Sequence, residues 1–201
     1  MGWLDPAAYS IAILAGGEGR RMGGPKLGLM LTPDVSALDW AWRTIRATGL
    51  SGCTSVYEGA NLPVAYAPCV DAEPGGGPLM GLRAVLAQSQ TPYVLVWAVD
   101  QPGVTVDVLQ RLVSVHVRTK GATLITSTDT RHGFHPFPGV YAPTLIPLID
   151  AVLAQGKRSL HALVAAVGDH ERACFPDEVT RSLNTPDDVA AWRRLSDFIT
   201  R

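Results

Sequence analysis

The stretch ILAGGEGRRMGGPK, residues 13–26, follows an apolar run directly and combines glycines with Arg20, Arg21 and Lys26. Glycine has no Cβ, so successive amides can converge on one anion and the backbone can approach it closely. Arginine grips phosphate oxygens in pairs, and lysine adds a compact charge. Two unit charges 4 Å apart attract by roughly 4 kcal/mol at an effective dielectric of 20, before desolvation, so such a loop suits a polyphosphate. A second reactive candidate is Asp100, a carboxylate placed just after the most apolar strand-like run, YVLVWAV, residues 93–99. Phosphate binding at the carboxyl end of a strand, near a carboxylate, is the arrangement these residues suggest.

Two common nucleotide motifs are excluded by the residues themselves. A P-loop ends in Gly-Lys-Ser/Thr, whereas here Pro25 precedes Lys26 and Leu27 follows it. A dinucleotide fingerprint starting at Gly17 has Gly19 in place but meets Met22 where its third glycine belongs. Neither a Ser-His-Asp nor a Cys-His nucleophile arrangement is evident. His132 and His135 lie in RHGFHPF without acidic companions, which is a poor metal site; acceptor contact or loop packing fits them better. Trp40, Trp42 and Trp192 fall at helical positions and read as core or interface residues.

Strand-like and helix-like segments alternate around these candidates. YSIAILA (9–15) reads as a buried strand stopped by glycines, and ALDWAWRTIRAT after Ser36 as a helix ending at Gly49. CTSVYEG (53–59) and PVAYAP (63–68) are candidate strands; GPLMGLRAVLAQS opens a helix at Pro78. Thr105 caps a helix over VDVLQRLVSVHV, and GATLITST and FPGVYA read as strands. Helices follow over TLIPLIDAVLAQ and SLHALVAAV, and a last one starts at Pro186, capped by Thr185 with Asp187 and Asp188 at its positive end. Alternating β and α elements predict an α/β fold: a mostly parallel central sheet with helices on both faces. Ligands in such sheets bind at the carboxyl ends of strands, where both the glycine loop and Asp100 should lie.

Composition bounds the function classes. With 201 residues, 47% hydrophobic and 17% charged, the chain reads as one domain over residues 1–201 without long disordered tails. A net charge of −1 offers no bulk attraction to nucleic acid or anionic membrane, so neither is expected as a partner. The 3 cysteines, Cys53, Cys69 and Cys174, are widely spaced and suit a reducing compartment. MGWLDPAAYS lacks the features of a secretion signal, and Pro6 stands where a myristoylation motif needs Ser or Thr. No apolar run reaches the ~18 residues that span a bilayer. A cytoplasmic setting is the expectation.

LAGGEGRRMGGPK closely resembles the signature loop of the nucleotidyltransferases related to molybdenum cofactor guanylyltransferase (MobA), usually written LAGGxxxRMGGxDK. Asp71 with the downstream GGGPLMGL resembles that family's D…GPLAG segment. VDQP, 99–102, resembles its CDTP or CDMP, and SLNTPDDVAAW, 182–192, its NVNTPEEL region. The resemblance implies a three-layer α/β/α Rossmann-like nucleotidyltransferase fold, with a nucleotide-binding part over about 9–105 and an acceptor-binding part over about 106–201. It implies transfer of GMP from GTP to the phosphate of (molybdenum-)molybdopterin with release of pyrophosphate. Mg²⁺ is the implied cation, with Mn²⁺ as an alternative, and cofactor-biosynthesis or acceptor proteins are implied partners.

Residue roles follow from the same resemblance. Leu14, Ala15, Gly16, Gly17, Gly23 and Gly24 would lie along the nucleotide. Lys26, with Arg21, would neutralise the α-phosphate and the departing pyrophosphate. Asp71 would contact guanine or ribose, Gly77, Pro78 and Leu79 would bring helix-start amides to the nucleotide, and Asp100 would hold the metal. Asn184 would approach the metal or the acceptor phosphate. Departures from the pattern are Pro25, Val99, Gln101, Ser182 and Glu58, and they bear on acceptor identity and base recognition. The reading of LAGG favours GTP, since cytidylyl relatives usually carry LAAG. CTP, a sugar-phosphate acceptor, or a nucleotide-binding adaptor without turnover are the alternatives.

Overall fold

The computed structural model describes residues 4–16, 26–71, 76–120, 122, 124–128 and 134–199, with residue 71 and residues 195–199 described as backbone only. The strands are β1 (Tyr9–Leu14), β2 (Met30–Thr32), β3 (Val35–Ser36), β4 (Gly52–Tyr57), β5 (Pro68–Asp71), β6 (Tyr93–Ala98), β7 (Leu124–Thr128), β8 (Phe134–Tyr141) and β9 (Glu171–Cys174). The helices are α1 (Ala37–Thr48), α2 (Pro78–Gln88), α3 (Val106–Arg118), α4 (Ile146–Ala154), α5 (Leu160–Val167), α6 (Asp177–Thr180) and α7 (Pro186–Ile199).

Seven strands form one sheet in the order β5-β4-β1-β6-β8-β7-β9. All run parallel except β8, which is antiparallel to both β6 and β7. Helices flank the sheet in two groups: α2 contacts α4 and α5 on one side, and α1 contacts α3 on the other. This is the α/β/α arrangement with a mostly parallel sheet that the alternation of segments predicts. β1 and β6 are central because they can be buried on both faces: Ile11, Ala12, Ile13, Leu95, Val96 and Trp97 are all at most 1% exposed.

Local signals place the helices. Ser36 caps α1 through a reciprocal box: its hydroxyl accepts from the Asp39 amide, and the Asp39 carboxylate accepts from the Ser36 amide. Gly49 ends that helix in the left-handed conformation at φ 73°. Pro78 opens α2, and the Thr105 and Ser159 hydroxyls cap α3 and α5.

One expected strand is displaced. PVAYAP is a single 3-10 turn over Val64–Tyr66, and β5 starts only at Pro68. Ala67 adopts φ 40°, which breaks an extended run, and the Tyr66 hydroxyl donates to Asp39 Oδ1 of α1. The β2–β3 hairpin, β9 and α6 carry no strong sequence signal, being two to four residues long or, in β9, exposed on three of four positions.

At the carboxyl end of the sheet, Leu14 lies in register with Ala98 of β6 and Ser55 of β4. The exits from β1 and β6 remain side by side, with the Val99 amide donating to the Leu14 carbonyl at 3.0 Å. The chain after β6 then meets α6 closely: a Cβ on Gly103 would fall 2.2 Å from the Glu178 carbonyl oxygen. Gly103→Ala should therefore lower stability by about 1–3 kcal/mol through overpacking against backbone. Urea unfolding measures this; an unchanged midpoint would show that the α6 contact is not close.

Candidate active site

Asp100 sits two residues beyond β6 and is 1% exposed. Its Oδ2 accepts from the Lys26 ammonium in an ion pair. Lys26 opens a 3-10 turn, Lys26–Gly28, on the far side of the glycine loop, and its Nζ also reaches Asn184 Oδ1 at 3.5 Å. Three residues remote in sequence thus meet at the carboxyl ends of β1 and β6. Asp100 Oδ1 is buried and has no hydrogen-bond partner among the described residues. A buried carboxylate is costly unless both oxygens are satisfied, and one ammonium satisfies only one of them. The orphaned oxygen is a ready ligand for a hard cation. Among the described residues no group of three His, Cys, Asp or Glu side chains could hold a metal. A Mg²⁺-sized ion at Asp100 therefore fits as a one-carboxylate site completed by phosphate and water oxygens, which is ordinary for magnesium.

The surroundings fix these groups through backbone. The Leu183 amide donates to the Asp100 carbonyl at 2.8 Å, which sets Asn184 beside the carboxylate. Asp188 Oδ2 accepts from the Asn184 and Thr185 amides at 2.9 and 2.8 Å, and the Thr185 hydroxyl accepts from the Asp188 amide at 3.2 Å. The Asn184 amide, followed by the Thr185 hydroxyl, holds the Asp188 carboxyl below the usual carboxylate range. The spacing of three between Thr185 and Asp188 is the sequence signal for this contact, which a reading of Asp188 as a helix-dipole partner misses. The Trp40 indole donates to the Pro102 carbonyl at 2.9 Å and meets Trp192 edge to face at 5.6 Å, so both tryptophans brace the turn after Asp100. Trp42 of α1 is buried against β4, its indole donating to Thr54 Oγ1.

Leu14 and Ala15 are buried at the exit of β1, the Ala15 amide donating to the Ser55 carbonyl at 3.1 Å, and Gly16 is exposed beyond them. Gly17, Arg21, Gly23 and Gly24 lie outside the described residues, as does His132. Asp71 ends β5, beside Tyr57 at the end of β4, and the exposed Glu58 follows Tyr57. At the start of α2 the offer of amides is narrower than expected. Pro78 has no N–H, and the Leu79 amide donates to the Arg158 carbonyl at 3.3 Å while its side chain is fully buried. Gly77 adopts φ 78° against that same Arg158 carbonyl, a position only glycine fills without strain. Gln101 is 4% exposed and turned into the protein, bonded to β8 and α6 rather than aimed at a ligand. His135 lies on β8, opposite Ser127 of β7.

The MobA-like NTP transferase domain matches residues 11–173. A protein of Mycobacterium marinum named "Probable molybdenum cofactor guanylyltransferase" is 32% identical over 199 residues, covering 93% of this chain and 94% of its own length. Molybdopterin-guanine dinucleotide biosynthesis protein A from Archaeoglobus fulgidus superposes with a TM-score of 0.69 at 20% identity, over 94% of this chain and 99% of that one. Rv0371c from Mycobacterium tuberculosis, solved in complex with manganese, superposes with a TM-score of 0.60 at 18% identity, over 94% of this chain and 98% of that one. At those identities the two structures establish the shared fold.

The Asp188 contacts give a pH signature. A carboxyl depressed on folding stabilises above its unfolded pKa of about 3.9, and that contribution fades as pH falls through the lower folded value. Asp188→Ala should melt below wild type at pH 7, with a gap that holds down to about pH 4 and narrows under it. A gap that does not change with pH in thermal melts would show that the charge of Asp188 does not hold the Asn184 segment.

Proposed function

We propose that this chain, which belongs to the MobA-like NTP transferase family, transfers GMP from GTP to the terminal phosphate of molybdopterin and releases pyrophosphate. The observation that carries this reading is the buried Asp100 carboxylate, one oxygen on Lys26 and the other without a partner among the described residues, at the carboxyl ends of β1 and β6. The name borne by the Mycobacterium marinum relative supports the guanylyl donor and the molybdenum-cofactor acceptor.

The reaction needs no covalent enzyme intermediate. An oxygen of the acceptor phosphate attacks the α-phosphorus of GTP in line, forming a new P–O bond. The bond from the α-phosphorus to the bridging oxygen breaks, and its electron pair leaves with pyrophosphate. Lys26, swinging from Asp100 toward the ligand, would neutralise charge on the α-phosphate and leaving group. Asp100 would hold the divalent ion through Oδ1. Mg²⁺, or Mn²⁺ as in the Rv0371c complex, would supply Lewis-acid stabilisation of the phosphates when bound. Asn184, fixed by Asp188, would orient the acceptor phosphate or the ion's water shell. Glycine-loop amides and Arg21 would complete the triphosphate cradle, and Asp71 would read guanine or ribose. No helix of the described residues is long and apolar enough to cross a membrane, and a cytoplasmic setting belongs to the same proposal.

Incubation with GTP, Mg²⁺ and molybdopterin should release pyrophosphate and form the dinucleotide, with CTP a poor donor. Asp100→Asn should lower turnover by about a thousandfold. Lys26→Ala should both lower kcat and raise the KM for GTP. Product from CTP alone would move the protein to cytidylyl transfer, GTP binding without product would make it an adaptor, and near-normal turnover of Asp100→Asn would remove that residue from the chemistry.

A further inference from the structure

Gln101 departs from the Thr or Met of the family pattern, and its surroundings show what the glutamine does. The side chain folds back on its own strand: Oε1 accepts from the Ala98 amide at 3.2 Å while the Gln101 amide donates to the Ala98 carbonyl at 3.0 Å. The amide nitrogen donates twice, to the Phe137 carbonyl of β8 at 3.2 Å and to the Thr180 carbonyl at the end of α6 at 2.9 Å. Both N–H groups and the carbonyl oxygen are used, in a residue 4% exposed. The same turn is joined to the α6–α7 connection by Leu183 N–H on the Asp100 carbonyl, and Gly103 lies against the Glu178 carbonyl.

We infer that Gln101 is a positioning residue: it fastens the end of β6 to β8 and to the segment carrying Asn184, and so sets where the Asp100 carboxylate stands for the metal. A residue bonded neither to the ion nor to substrate can still decide metal affinity, because a carboxylate free to tilt loses the geometry its ion requires. The inference rests on the proposed metal role of Asp100, and its test separates the two.

Mn²⁺ binding to the protein–GTP complex is read from the electron paramagnetic resonance of free Mn²⁺, and metal-free GTP binding from equilibrium dialysis. Three variants are compared: Gln101→Met, Gln101→Glu and Asp100→Asn. Methionine is unbranched and close to glutamine in length, so Gln101→Met should fold while losing the three hydrogen bonds. Glutamate keeps glutamine's size but sets carboxylate oxygen against the Phe137 and Thr180 carbonyls. Gln101→Met should weaken Mn²⁺ about tenfold, Gln101→Glu more, and both should bind metal-free GTP within about twofold of wild type. A side chain that merely fills space gives the opposite order, with Glu the better tolerated. Wild-type Mn²⁺ affinity in Gln101→Met, or Glu at or above Met, overturns the inference; if Gln101→Glu does not fold, Gln101→Met decides alone. Should Asp100→Asn also bind Mn²⁺ as wild type does, the metal reading itself fails. Loss in Asp100→Asn beside a normal Gln101→Met refutes only the role of Gln101.

Discussion

A carboxylate kept out of water with one oxygen paired is the constraint around which this fold is arranged. Asp100 is more deeply buried than Lys26, its ammonium partner among the described residues, whose side chain is 25% exposed. Removing such a charge from water costs several kcal/mol even after relaxation, and one hydrogen-bonded cation offsets part of it. The arrangement suits a site that completes itself on binding. Under the proposed function a divalent ion would take the spare oxygen, and the lysine would exchange the carboxylate for phosphate.

The order of the strands makes this convergence. β1 is the switch point, with β4 and β5 to one side and β6 to the other, so the exits of β1 and β6 open the same crevice. β8, the strand that runs against the others in the seven-stranded sheet, pairs with β6 and brings the later half of the chain alongside it. Its Phe137 carbonyl and the Thr180 carbonyl meet Gln101, and Leu183 meets the Asp100 backbone. Lys26 and Asn184, 158 residues apart in sequence, are neighbours because each is anchored to the same turn after β6. The site is therefore a property of the joint between the two halves of the sheet.

Much of this was legible in the residues. Capping residues and left-handed glycine placed α1, Thr105 placed α3, and Pro186 placed α7, because such signals act within a few residues. The doubly buried runs of β1 and β6 declared themselves by uninterrupted hydrophobicity. PVAYAP misled because its apolar residues satisfy a strand pattern, while the left-handed Ala67 and the Tyr66–Asp39 bond that bend it are tertiary facts. β9 was silent because an exposed edge strand needs no hydrophobic alternation. The meeting of Lys26, Asp100 and Asn184 followed from resemblance and topology. Gln101 read as bearing on acceptor identity and base recognition because it departs from the Thr or Met of the resembled pattern; that its amide is spent on backbone carbonyls is a tertiary fact.

A crystal structure with Mn²⁺ and a non-hydrolysable GTP analogue would test the central claim most directly. Anomalous scattering should place manganese at coordination distance from Asp100 Oδ1, with Lys26 Nζ moved onto phosphate oxygens. Manganese and phosphates found elsewhere, with Lys26 still closed on Asp100, would contradict the account.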